Sequence, residues 1–459
     1  MLQEALKLAR AGEKQSDADL FEELRIPSVS ALPQHREDVR RNARWLAERM
    51  ERLGFKTSLT DVAGGRHPVL QGDLVADPSA PTLTIYGHYD VQPADPVELW
   101  VSPPFEPTVR DGRVFARGSA DNKGNHMAAL KAVEYCLKAG GLPVNVRFLI
   151  EGEEEITGES LGRYVRENAK RLATDWVLVW DGGFGEDGSP SLTLGLRGIL
   201  YVQLEAVGSG IDLHSGTFGG VAPNPLNTLA HVISALKGRD GRITIPGFYD
   251  KVRKPSAEEL KQWERPAGYA ETVMQLSHTE ALEGEADYPP LERQWARPTL
   301  DVHGMIGGFT GEGVKTVIPS HGMAKVSMRL VPDQDPHEIL PNLKKYVAQL
   351  TTPGVKIEVR LLGASRPVLM GGDHPAATAA MQAFEAAFGR KARLVRSGGS
   401  IPVAIDLQEA LKAPMVASGL PEADSAPHSP NEHYNLDHYH RGIEMLIRFM
   451  YALPSQKSG

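Results

Sequence analysis

A chain of 459 residues, 41% hydrophobic and 24% charged, has the length for two or three domains and a large buried core. Its 50 Lys and Arg against 58 Asp and Glu leave a net charge of −8, which argues against nucleic acid or an anionic membrane surface as partner. The single cysteine, Cys136, excludes an internal disulfide and a Cys-rich metal site, and fits a reducing, cytoplasmic setting.

Met1–Arg10 reads as an amphipathic helix and not as a signal peptide, because Glu4 and Lys7 interrupt its apolar residues. No uncharged apolar run approaches the ~20 residues of a membrane span. Asp38–Leu53 carries apolar residues at helical spacing and stops at Gly54. Thr82–Tyr86 is a short apolar strand leading into Gly87-His88, and Gly124–Leu137 is an Ala-rich helix. Val144–Ile150 is a strand ending at Glu151, and Trp176–Trp180 another ending at Asp181. This alternation predicts an α/β fold with a parallel sheet. From Arg197 the style changes: Ile199–Val207, Met323–Leu330 and Val355–Leu361 read as strands, and Asn224–Leu236 and Pro336–Leu350 as helices. That order predicts a smaller α+β domain with an antiparallel sheet. Arg239–Pro298, rich in proline and charge, has no clear period and reads as a long excursion within it. The α/β style returns near Arg366 with helix Pro375–Phe388, strand Pro414–Ala417 and closing helix His440–Leu453, so the second domain is inserted into the first.

Three strands of the first domain end on residue types that can ligate metals: one on His88 and Asp90, one on the run Glu151–Glu155, one on Asp181. In an open α/β sheet the functional crevice lies outside the carboxyl ends of the strands, so ligands from separate strands meet there. Asp121 follows the turn Gly118-Ser119-Ala120, and His428 sits in the loop beyond the last strand. Each has a plainer reading: a loop histidine, a solvated acidic loop, or a turn-starting aspartate before Gly182-Gly183. An acidic run directly after a buried strand is, however, electrostatically expensive without a cation.

Gly87-His88-Tyr89-Asp90-Val91-Gln92-Pro93, Arg117-Gly118-Ser119-Ala120-Asp121-Asn122-Lys123-Gly124 and Glu151-Gly152-Glu153-Glu154-Glu155 resemble, in order, motifs of the M20 metallopeptidases. Leu213-His214-Ser215-Gly216, Lys315-Thr316-Val317-Ile318-Pro319 and His428-Ser429-Pro430-Asn431-Glu432 complete the set, and the resemblance runs from about Phe21 to Tyr451. Asp90-Val91-Gln92-Pro93, Lys315–Pro319 and Gly398-Gly399-Ser400-Ile401-Pro402 resemble the cytosolic dipeptidase and carnosinase branch. The resemblance implies a zinc-peptidase-like catalytic domain at 1–197 and 367–459, with an inserted ferredoxin-like dimerisation and lid domain at 198–366. It implies two divalent ions, zinc foremost with manganese or cobalt also suited, bridged by Asp121. His88 and Asp181 would hold one ion, Glu155 and His428 the other, and the Asp121–Asn122 peptide would be cis. Asp90 would accept the second ring N–H of His88. Glu154 would deprotonate a metal-bridged water and later protonate the leaving amine.

By the same resemblance His214 would reach an active site across a homodimer and stabilise the oxyanion; by itself it reads as a turn histidine. Arg329, Thr316 and Ser400 are candidates for the substrate's terminal carboxylate, although Arg329 alone would be a strand-pairing residue. The expected function is hydrolysis of dipeptides or short peptides, with deacylation of N-acyl amino acids as the alternative on the same site. Gly158-Glu159-Ser160-Leu161-Gly162 matches the serine-hydrolase G-x-S-x-G pattern, but residues intervene between the strand and Ser160, which should lie near a helix start. His337-Glu338 lacks its second histidine because Pro341 occupies the place, and His433, His438 and His440 read as surface residues. The Gly182–Gly185 turn lacks the helix a dinucleotide site needs, and no Walker-type loop is present.

Overall fold

The computed structural model describes residues 1–156, 158–265, 268–399 and 401–454. The chain divides into two compact units. The first comprises Met1–Leu194, Met370–Val395 and the chain from Ile401 onward; the second is Gly195–Leu369 with a short stretch beginning at Arg396.

The first unit is built on a mixed sheet. Asn145–Glu151, Thr82–His88, Trp176–Gly182 and Met415–Gly419 lie side by side and parallel, with His88 opposite Glu151. The parallel middle follows from its connections, since the helix Gly124–Lys138 separates the first two in sequence and allows a crossover. The flanks add antiparallel strands to the parallel sheet expected. Lys56–Thr60 and Val69–Leu74 are joined by a short connection and form an antiparallel hairpin beside Asn145–Glu151. Ser191–Leu196 runs antiparallel to Met415–Gly419 on the other side.

Helices cover this sheet because their apolar residues recur at helical spacing. Gly124–Lys138 is buried nearly all round, through Met127, Ala128, Leu130, Ala132, Val133 and Cys136. The last helix, Leu436–Ala452, buries Tyr439, Ile443, Leu446 and Met450 as one stripe and packs on Gly124–Lys138, Pro375–Phe388 and Leu2–Ala11. Each large apolar side chain taken from water there stabilises the fold by roughly 1.5–3 kcal/mol. This helix starts a turn earlier than expected. Asn435 Oδ1 accepts the N–H groups of Asp437 (2.9 Å) and His438 (3.3 Å), so the cap lies ahead of the polar first turn.

The second unit holds a four-stranded antiparallel sheet in the order Thr299–Gly307, His321–Leu330, Gly198–Val207, Lys356–Ser365. Burial alternates along Gly198–Val207, so Leu200, Val202, Leu204 and Ala206 share one core with Leu229, Val232, Leu343 and Val347. The last four lie on the helices Pro225–Leu236, capped by Asn224, and Pro336–Leu350, capped by Asp335. The stretch read as an aperiodic excursion contains three helices, Ala257–Trp263, Tyr269–Ser277 and Pro290–Trp295. With six to nine residues each, they are too short to show a period. Among the described residues no helix is long and apolar enough to cross a membrane.

Candidate active site

The sheet of the first unit delivers His88 and Asp181 at neighbouring strand ends. Between them works Asn122. Its Nδ2 donates to the Trp180 carbonyl (2.9 Å) and to Asp181 Oδ1 (2.7 Å), and its Oδ1 accepts the His88 amide at 3.3 Å. The Asp121–Asn122 peptide is cis. The turn carrying Asp121 is held by Glu432, fully buried, whose carboxylate accepts Arg117 Nη1 (2.7 Å) and the amides of Gly118 (2.9 Å), Ala120 (2.8 Å) and Asp121 (3.0 Å). Burial lifts the Glu432 carboxyl to about 7, against the pull of Arg117 and these amides. Glu432 and Asn122 lie inside the motifs read from the sequence, yet no role for either is visible there. Most of their bonds run to main-chain groups, which leave no mark in a sequence.

Asp121 faces two histidines with its two oxygens. Its Oδ1 lies 2.9 Å from His88 Nε2, and its Oδ2 lies 3.0 Å from His428 Nε2. Asp181 Oδ1 is 3.6 Å from His88 Nε2, and Glu155 Oε2 is 3.2 Å from His428 Nε2. Two clusters result, His88–Asp121–Asp181 and Asp121–Glu155–His428, each with its candidate ligand atoms within 4.8 Å of one another and with Asp121 in common. His88 Nδ1 donates to the Asp90 carbonyl at 3.0 Å, with the Asp90 carboxylate Oδ1 at 3.4 Å, which leaves Nε2 facing the cluster. Asp90 Oδ2 accepts the Glu155 amide (3.2 Å), and Gln92 Nε2 donates to Glu155 Oε2 (2.8 Å).

The electrostatics are those of too many carboxylates for the cations present. Burial works against a charge on His88, but Asp181, Asp121 and Asp90 outweigh it and hold its pKa well above the ordinary value. Hydrogen bonds to Asp121 and Glu155 raise His428 to about 10. Burial raises Glu155, opposed by His428, and raises Glu154 well above the usual carboxylate range, opposed by His88. The lone pairs that hold histidine protons so firmly are those a divalent cation takes, and an oxygen–nitrogen donor set without thiolate suits zinc, manganese or cobalt. The residues fit a metal.

His214 ends a two-residue strand and caps the short helix Ser215–Phe218, its Nδ1 accepting the Gly216 amide at 3.0 Å. The Thr316 carbonyl accepts the Ser215 amide at 3.1 Å. Arg329 lies on His321–Leu330, and burial lowers its pKa. Arg197, which the sequence does not single out, is held at about 10 by burial and by the Arg329 charge. Ser400 lies outside the described residues. His214, Thr316, Arg329 and Arg197 belong to the second unit, and none of them is a member of the two clusters. Ser160 begins the helix Ser160–Asn168, and its hydroxyl donates to Glu153 Oε2 at 2.8 Å, not to a histidine. His433 is not a surface residue: it is buried, its ring 4.9 Å from that of Phe115. His438 and His440 are half-buried, the first against Phe184 and Phe388, the second on Asp17. Aromatic and ionic partners contributed from distant sequence cover these rings, which local polarity does not foretell.

The model of peptidase family M20/M25/M40 matches residues 84–452. The chain belongs to this family. It is an M20 metallopeptidase, 32% identical over 452 residues to the Cys-Gly metallodipeptidase dug1 of Schizosaccharomyces pombe, covering 94% of each chain. It is 30% identical over 437 residues to the Beta-Ala-His dipeptidase of Homo sapiens, covering 92% of this chain and 86% of that one. Among solved structures, the M20 family metallo-carboxypeptidase Sso-CP2 from Sulfolobus solfataricus superposes with a TM-score of 0.86 at 33% identity, over 95% of this chain and 98% of that chain. The M20 motifs thus sit on the fold that the family resemblance implies, and the serine-hydrolase alternative has no support at Ser160.

Proposed function

We propose that this metallopeptidase cleaves the amide bond of dipeptides or short peptides with two divalent ions, His88, Asp121 and Asp181 holding one and Asp121, Glu155 and His428 the other. The observation that carries this is Asp121, whose two oxygens face two separate donor clusters. Ions bound there supply Lewis acidity for activating water and polarising the scissile carbonyl. Glu154, whose buried carboxyl favours holding a proton, takes one from the attacking water and passes it to the leaving amine. Asp90 and Gln92 hold His88 and Glu155 in place. His214 donates to the developing oxyanion, and Arg329, Thr316 and Ser400 bind the substrate's free carboxylate. The Arg329 charge felt at Arg197, partly offset by Asp301, supports the last assignment. The dipeptide substrate class is supported by the names of two full-length relatives.

The second unit is also proposed to form a homodimer. Its outer strand Thr299–Gly307 exposes Val302, Met305 and Ile306 at a sheet edge that no other strand pairs among the described residues, the kind of edge that a soluble protein otherwise covers. A panel of Cys-Gly, β-Ala-His and N-acyl amino acids, assayed with defined zinc, manganese and cobalt, tests the function. Preferred turnover of a dipeptide is expected. Preferred cleavage of N-acyl amino acids would make the enzyme a deacylase on the same site.

A further inference from the structure

Glu154 and Glu155 stand on one short turn, yet they are held differently. Glu155 is anchored from outside by Asp90 and Gln92. Among the described residues no side chain hydrogen-bonds the Glu154 carboxylate, so its aim must come from the main chain beneath it. That main chain is closed by Glu153, whose carbonyl accepts the amides of Ile156 (3.3 Å) and Gly158 (2.9 Å) around the turn Glu154–Ile156. The Glu153 side chain is itself buried and fully engaged. Its Oε1 accepts the amides of Arg66 and His67, the latter at 2.7 Å, and its Oε2 accepts Ser160 Oγ at 2.8 Å.

Those partners are fixed in turn. His67 Nε2 donates to the Ser30 carbonyl at 3.3 Å, and Arg163, on the Ser160 helix, donates to the Ala63 carbonyl. Two glycines are needed for the fit. A Cβ at Gly65 would collide with Ser160 Oγ, and one at Gly158 with the Glu153 side chain. The G-x-S-x-G pattern thus has a use unrelated to a nucleophile: Gly158 and Ser160 cradle the Glu153 carboxylate.

We propose that Glu153 is the positioning residue of Glu154, tying the turn that carries it to the loop before His67 and to the start of the Ser160 helix. The proposal rests on Glu154 being the proton carrier. A carboxylate with three donors over-determines the turn, and displacing a reacting group by ~1 Å costs about 10²-fold in rate.

The test compares Glu153→Ala, Glu153→Gln, Glu154→Gln and the double variant Glu153→Ala/Glu154→Gln on the dipeptide turned over fastest, with metal content measured for each. Glu153→Ala is expected to lower kcat about 10- to 100-fold, with KM and bound metal within about twofold of wild type. Glu153→Gln should rescue most of kcat, because its Oε1 still accepts the two amides and its NH2 can donate to Ser160 Oγ. The double variant should be no slower than Glu154→Gln alone, as residues acting through one group are not additive. Independently of activity, hydrogen exchange at the Arg66 and His67 amides should accelerate in Glu153→Ala and not in Glu153→Gln.

Undiminished kcat in Glu153→Ala, a loss traced to missing metal, or multiplicative losses in the double variant would overturn the proposal. Full turnover in Glu154→Gln would instead overturn the role of Glu154. Should Glu153→Ala fail to fold, Ser160→Ala removes one of the three donors and is expected to lower kcat about threefold or more; an unchanged kcat would overturn the proposal.

Discussion

Glu154 and Glu155 are adjacent carboxyls for which separate duties are proposed, and their surroundings differ accordingly. Glu155 meets His428 at 3.2 Å and belongs to a donor cluster, whereas burial, joined by the charges of Asp181, Glu155 and Asp121 and opposed by His88, keeps Glu154 inclined to hold a proton. Glu154→Gln should therefore leave metal content near normal and cut kcat by about 10²–10⁴, checked by metal analysis beside steady-state kinetics. His214 makes no contribution to the clusters, so His214→Ala should retain metal and lose about 10²–10³ in kcat, the usual cost of one preorganised donor. How much of this is legible in the sequence depends on what each residue binds. His88 and Asp181 are readable because they end apolar strands, and Asp121 and His428 because their motifs resemble those of a family. Glu432, Asn122 and Glu153 are not, because a carboxylate or carboxamide bonded to buried main-chain groups has the same letter as one in solvent.

The helices of the first unit are joined by charges that their amphipathic patterns hide. Asp19, on Glu13–Leu24, accepts from Lys131 Nζ at 2.8 Å and pairs with Arg49 on Arg36–Arg52, while Lys131 also reaches Glu134 at 2.6 Å. Burial would raise the Asp19 pKa, but Arg49, Lys131 and Gln15 outweigh it and hold the group below its ordinary 3.8. A depressed folded pKa means stability that is present above the unfolded carboxylate range and lost as the pH falls through the folded pKa. Asp19→Asn should thus destabilise the protein by about 3 kcal/mol at neutral pH, since it strips a buried lysine of one partner. The deficit should shrink below about pH 4, as followed by thermal unfolding across pH. Long periodic helices such as Pro336–Leu350 and Pro375–Phe388 are legible to the residue, each opened by proline at its first position. The hairpin Lys56–Leu74 and the helices of 257–295 are not, because strands of five and six residues broken by polar side chains and two-turn helices carry too few apolar repeats.

The two-unit organisation has consequences for the assembled enzyme. If the second unit pairs two chains and His214 serves the partner's site, His214→Ala and Glu154→Gln chains should each be nearly inactive alone. Mixing them should restore activity, because a heterodimer contains one intact site. Light scattering should give a dimer at micromolar concentration; a fully active monomer would contradict the assignment. The two-metal reading is probed most directly by stepwise addition of zinc to the chelated protein, with dipeptide turnover read at each step. Turnover absent at the start and saturating at two equivalents per chain is the predicted result. Full turnover before any metal is added, or saturation at a single equivalent, would contradict it.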